Sequence, residues 1–247
     1  MIRPADRESL LASSCADPFY TRVLSVFESY GDMSFAKCWV QDIDGVITAA
    51  VSRFEDKFSL YMTDSADAEE VVAFLRFQGA GCVMTDHAYD LDIHAKNDIS
   101  GDVLVYKGDD YNSVLELYQP EIKDLYGLLQ SCASDIFIVP EYMSFLSDVT
   151  HRLNLGKCTI IATDIDGRLA SSVMTVSETE KAAIIGAVAT HPDFRRRGLS
   201  RELVRTLASR IRAQGREAYV FSASDSNTRF YKGSGFEVCA GFKELFI

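Results

Sequence analysis

Four short identities recur along this chain in the same order. Pro4 and Pro120 each precede a helical-looking run, and ASSCA around Cys15 matches LQSCA around Cys132. Lys37-Cys38 matches Lys157-Cys158, and DIDG stands at Asp42–Gly45 and again at Asp164–Gly167. The offsets, 116, 117, 120 and 122, drift as small insertions would make them. Each identity is weak alone, but their order and near-constant spacing predict a tandem pair of similar domains. A chain of 247 residues has room for two small ones. The polar run KGDDYNS, Lys107–Ser113, sets a boundary near residue 110, giving domains 1–110 and 111–247.

DIDG admits two readings. An apolar strand followed by DxDG resembles the nucleophile motif of haloacid-dehalogenase-type phosphatases, with Asp42 or Asp164 as nucleophile. That motif continues with Thr, where this chain has Val46 or Arg168. Asp-Gly between two strand-like runs is also a hairpin signal, because both residues tolerate positive φ. The second reading fits both copies.

In the second half, Met143, Phe145, Leu146, Val149 and Leu153 recur at helical spacing over Glu141–Leu155, and Gly156 ends the run. Cys158–Thr163 and Arg168–Val176 read as hairpin strands, and KAAIIGAVAT (Lys181–Thr190) as a buried strand. Leu199, Leu203, Val204, Leu207 and Ile211 line one face of a helix over Leu199–Gln214, stopped by Gly215. A strand over Ala218–Ala223, a short helix over Asn227–Gly233 and a strand pair over Phe236–Ile247 follow. The order predicts a layered α/β (α+β) domain on a mixed, mostly antiparallel sheet flanked by helices.

Within it, HPDFRRRGLSREL (His191–Leu203) puts three arginines at a helix start, in a chain of formal net charge −11. Cations there oppose the helix dipole, so the arrangement asks for an anion. A helix start offers free N–H groups to a phosphate. Gly198 has no Cβ to hold a ligand off the backbone, Ser200 is small, and the arginines add rim charge. This predicts a pyrophosphate cradle that is neither a Walker loop nor a GxGxxG.

R-x-x-G-x-S at Arg195, Gly198 and Ser200 resembles the Q/R-x-x-G-x-G/A signature of the GNAT superfamily of acetyl-CoA-dependent N-acetyltransferases. VATHPDF (Val188–Phe194) is similar to that family's entry to the loop. NTRFYKGSGFE (Asn227–Glu237) resembles its second signature, with Tyr231 four residues before Gly235-Phe236. The resemblance covers roughly Tyr111 to the C-terminus and implies acetyl-CoA as co-substrate and an amine acceptor, small molecule or peptide. It implies that Val188, Ala189 and Thr190 hold the pantetheine arm. The amides of Arg196, Arg197, Gly198, Leu199, Ser200 and Arg201 would hold the pyrophosphate, with Arg195 as signature residue. Tyr231 would be the general acid for the leaving thiolate, and Asn227 a contact to the cofactor arm or a helix cap.

The base is not identifiable from sequence; Glu178, Glu180, Glu217 and Asp225 read as solvated carboxylates and His151 as a helix-face residue. The first half offers SADAEEVVAFLRF instead of the arginine loop, so Asp67, Glu69 and Glu70 occupy the helix start and repel phosphate. Residues 1–110 are therefore expected to be a degenerate GNAT-like copy. The alternative function is a non-catalytic acyl-CoA-binding regulatory module, which would not need Tyr231.

The acidic balance argues against nucleic acid or an anionic membrane as partner and leans toward a cationic acceptor. No run is apolar enough to span a bilayer, and MIRPADRESL has no signal core, so a cytoplasmic protein is expected. The six cysteines form no CxxC, and the four histidines form no HxH or HxxxH, so no metal site and no disulfide framework are expected.

Overall fold

A computed structural model describes residues 1–31, 33–134 and 137–247. The first half runs β1 (Ile2–Pro4), α1 (Arg7–Ala12), α2 (Pro18–Tyr30), β2 (Ala36–Ile43), β3 (Val46–Phe54), β4 (Lys57–Met62), α3 (Ala68–Phe77), β5 (Cys82–Asp86) and β6 (Asn97–Tyr106). The second runs α4 (Ile122–Ser131), α5 (Tyr142–Asn154), β7 (Ile160–Ile165), β8 (Arg168–Glu178) and β9 (Ala182–Thr190). A 3-10 turn (Pro192–Phe194), α6 (Leu199–Ala213), β10 (Glu217–Ser222), α7 (Asp225–Lys232) and β11 (Phe236–Phe246) complete it.

The duplicated hairpins are hairpins. Asp44 and Gly45 have φ of 53° and 80°, and Asp166 and Gly167 have 53° and 73°. Positive φ at both central residues is what a tight two-residue turn between right-twisted strands demands. The same irregularity precedes each turn, between Gln41 and Asp42 and between Thr163 and Asp164. Asp42 accepts the Gly45 N–H at 2.8 Å, and Asp164 accepts the Tyr118 hydroxyl. These carboxylates are turn and strap residues, and the phosphatase reading is set aside.

The two expected sheets are one. Eleven strands lie in the order β1-β2-β3-β4-β5-β11-β6-β10-β9-β8-β7. From β2 to β7 this order is symmetric about the β11–β6 pair, with β4–β5 and β9–β10 as its parallel neighbours. Each half has sent its last strand across: β11 pairs with β5 and β6, and β6 with β11 and β10. The final segment is thus one strand rather than the expected pair, because both its edges are occupied; the apparent break near Ala240 is a register shift between Val238 and Ala240. The other boundaries differ by small end shifts, as with Ile160 for Cys158 and Asp225 for Asn227.

Helix α2 is buried nearly all round, from Phe19 to Tyr30, because it packs on β2–β4 of its own half and on β8 and β9 of the other. The halves thus share one sheet and a helix. Residues 111–247 expressed alone would leave β11 without both neighbours and expose an edge of β10. That fragment is expected not to be a folded monomer by size-exclusion chromatography and circular dichroism. A cooperative monomeric melt would contradict the shared sheet.

Candidate functional site

β9 pairs in parallel with β10 only from Ala182 to Ile185. Beyond that point the strands part, and β9 has bulged against β8, with Ala187 at φ 47°. The segment Gly186–Thr190, which contains Val188, Ala189 and Thr190, therefore runs along an opening in the sheet. The carbonyl of Ala189 already accepts from Ser171 Oγ at 2.8 Å. That of Thr190 accepts from Arg195 Nε at 3.2 Å and from Cys132 Sγ at 3.3 Å.

The loop that follows is held by Phe194, which is buried with Ala170 and Leu199. Arg197 lies over its ring at 5.4 Å and Arg168 at 5.1 Å. Arg196 is left-handed at φ 62°, and Gly198 at φ 81° caps α6 with no side-chain hydrogen bond. A Cβ on Gly198 would meet nothing within 4 Å, so the glycine is needed for its φ, not to relieve a clash within the protein. Among the described residues, the helix-start N–H groups thus have no capping side chain. A cleft of about 420 Å³ lies over them, lined among others by Thr190, Arg195, Arg196, Gly198, Ser200 and Phe230. Leu199 turns into the core while Ser200 hydrogen-bonds Thr190 across the strand–helix junction. Arg195 is the brace, reaching back to Thr190 and the Cys132 thiol.

Helix α7 lies at the same end of the sheet, and Arg201 of α6 approaches Gly233 at its end. Tyr231 is 9% exposed, packed edge-on against Phe230 and Phe236 at 5.1 and 5.8 Å. Among the described residues its hydroxyl has no hydrogen-bond partner, and burial pushes its pKa up to about 12. Asn227 is not the cap expected as one of its roles: Ser224 caps α7 and receives the Asn227 N–H at 3.3 Å, because the helix starts at Asp225.

The corresponding helix start in the first half is closed. Asp67 caps α3 through the Glu70 N–H at 3.0 Å. Gln41 bonds both the N–H and the carbonyl of Asp67, and Glu70 accepts from the Ile2 N–H at 2.8 Å. Among the described residues, no helix stands between β5 and β6 to match α7.

Of the carboxylates considered as base, Glu178 is not solvated. It is 4% exposed, paired with Arg216 at 2.8 Å and bonded by Thr159 at 2.9 Å and Thr175 at 2.5 Å. It sits seven residues along β8 from Ser171, about 23 Å from the loop end. Glu180 and Glu217 lie at that far end too. His151 Nε2 meets the Ser29 carbonyl at 2.6 Å and stacks on Tyr30, tying α5 to α2. Arg216→Met would strand the Glu178 charge. It is expected to cost about 3 kcal/mol, or roughly 6–12 °C in Tm, with turnover per folded molecule unchanged. Lost turnover in a fully folded variant would return this pair to the candidate catalytic groups.

Among the described residues, no cluster of three or more His, Cys, Asp or Glu is placed to hold a metal, and no helix is long and apolar enough to cross a membrane.

Residues 166–247 match the family model described as FR47-like protein. No curated protein sequence matches the chain. Among solved structures, the chain is similar to an acetyltransferase of the GNAT family from Colwellia psychrerythraea, at 10% identity over all of both chains, with a TM-score of 0.58. A tandem GNAT protein from the clavulanic acid biosynthesis pathway matches at 14% identity, covering 99% of this chain and 97% of that one, with a TM-score of 0.59. A GCN5-related N-acetyltransferase from Sphaerobacter thermophilus matches at 13% identity over 99% and 94%, with a TM-score of 0.58. The symmetric strand order, the parted β9 and β10 and these likenesses agree: the chain has the fold of the GNAT superfamily of acetyltransferases, with an FR47-like segment at its C-terminal end.

Proposed function

We propose that the protein transfers an acetyl group from acetyl-CoA to a primary amine, that residues 111–247 hold the cofactor, and that residues 1–110 are a related half without a cofactor site. The observation that carries this reading is the contrast between two equivalent helix starts. Among the described residues the α6 start has no capping side chain and faces a cleft bordered by arginines, whereas the α3 start is filled by Asp67, Gln41 and Glu70.

Acetyl-CoA supplies an acyl thioester, whose carbon–sulfur bond breaks as the amine nitrogen bonds to the carbonyl carbon. The amides of Arg196–Arg201 would hold the pyrophosphate, with Arg196 and Arg201 lining the same cleft. The β9 segment Val188–Thr190 would guide the arm, and Asn227, exposed on the first turn of α7, would contact it. Tyr231 keeps its proton at neutral pH and gives it to the departing sulfur, while the nitrogen loses its own proton to solvent.

Titration calorimetry with CoA, followed by mass spectrometry of an amine panel with acetyl-CoA, tests the reading. CoA binding with an acetylated amine is expected. Absence of CoA binding would end the proposal, and tight binding with no acetylated amine would favour the regulatory module.

A further inference from the structure

A second cleft, of about 330 Å³, lies between the two halves. Its floor includes Ala187 and Met174, beside the β9 bulge and three residues before Thr190, about 10 Å along the strand. Its walls are largely apolar: Leu129, Val139, Phe145 and Val176 from the second half, and Val26 and Phe54 from the first.

The polar groups are uneven. Among the described residues the lining carries Arg22, Lys57 and Arg152 against the single carboxylate of Asp148, in a chain of net charge −11. Asp148 is fully engaged. Arg152 bonds it through Nε at 3.1 and 3.2 Å and through a terminal nitrogen at 2.7 Å, and the Tyr30 hydroxyl donates to it. Arg22 is the opposite case. Its Nε donates to Ser59 Oγ at 3.2 Å, and its guanidinium lies 5.6 Å from the Phe221 ring centre. Its remaining donors have no partner among the described residues. Glu244 makes no ion pair with it and accepts instead from the Cys82 thiol at 3.2 Å. Lys57, which lines the same cleft two residues before Ser59 on β4, has no ion pair among the described residues either. A half-buried guanidinium with free planar donors suits a carboxylate. Among the described residues of this lining an ammonium group would find no free carboxylate.

We propose that this cleft binds the acceptor, and that the acceptor is an amine with an apolar body and a carboxylate, the carboxylate held by Arg22 and Lys57 from the first half. The amine then lies toward Ala187, and the first half acts as the specificity element of a site whose chemistry belongs to the second. The steering argument from net charge does not extend into this cleft, because the charge of its described lining residues has the other sign. The acceptor role rests on the acetyl-transfer reading; the ligand class does not.

The cleft is tested on the full chain by calorimetry with 3-phenylpropionate and its primary amide, which differ only in the charged group. The acid is expected to bind about tenfold tighter or better. Arg22→Met should abolish the difference while leaving affinity for the amide unchanged, and Arg22→Lys should restore part of it. Equal affinities, no binding of either at millimolar concentration, or a preference that survives Arg22→Met would overturn the proposal. In turnover with acetyl-CoA, L-phenylalanine should exceed phenethylamine in kcat/KM by a similar factor. If phenethylamine or spermidine is preferred, the cleft proposal falls and acetyl transfer stands. If the acid binds through Arg22 and no amine is acetylated, the ligand class stands and acetyl transfer falls.

Discussion

Tyr231→Phe is expected to lower kcat by about a hundredfold or more while leaving acetyl-CoA affinity unchanged. The substitution removes only the hydroxyl, which has no partner among the described residues, so the packing against Phe230 and Phe236 is kept. Calorimetry and steady-state rates separate the two effects. A variant that keeps its turnover would return Tyr231 to the core and leave thiolate protonation to water.

The pH behaviour has a definite sign. Burial raises the Tyr231 pKa from 10 to about 12, so the folded chain holds this proton more tightly than the unfolded one. The stability linked to it is complete below pH 10 and is lost as pH rises toward 12. Tyr61 is shifted in the same sense, also to about 12. The kcat profile should therefore show no falling limb from Tyr231 up to about pH 10. Tyr231→Phe should lose less stability than the parent between pH 10 and 12, read as melting temperature across that range.

Local chemistry made much of this fold legible. Both Asp-Gly turns were readable because the residues that tolerate positive φ are few, and the α6 face because its apolar positions recur every third or fourth residue. The repeat was readable too, and it predicts two related halves. It does not predict that β6 and β11 cross over, because each strand has the same local pattern whichever half it pairs with. The same limit applies to Glu178, whose partner Arg216 is 38 residues away, so it reads as a surface carboxylate although it is buried. Arg22 is the lone cation of a largely buried helix, and that was its one sequence signal; what it faces is set by β4 and β10. Cys132 was noticed for the repeat, yet its contact with the Thr190 carbonyl needed the fold.

Ser200→Glu should reduce acetyl-CoA affinity by about a hundredfold or more and leave the melting temperature almost unchanged. The two readouts part company because the helix start acts on charge in both. A carboxylate in the first turn of α6 meets the positive end of the dipole, worth about 0.3–1 kcal/mol. That offsets the loss of the Thr190–Ser200 hydrogen bond, itself about 0.5–1.5 kcal/mol. The same carboxylate occupies the cleft proposed for a pyrophosphate and repels it. The variant thus copies onto α6 what Asp67 and Glu70 already do for α3: a well-capped helix with nothing left to offer an anion. Ser200→Ala, which adds no charge, should stay within about threefold of the parent in affinity. If Ser200→Glu also stays within that margin, the pyrophosphate is not held at the α6 start, and the contrast between the two helices does not decide which half binds the cofactor.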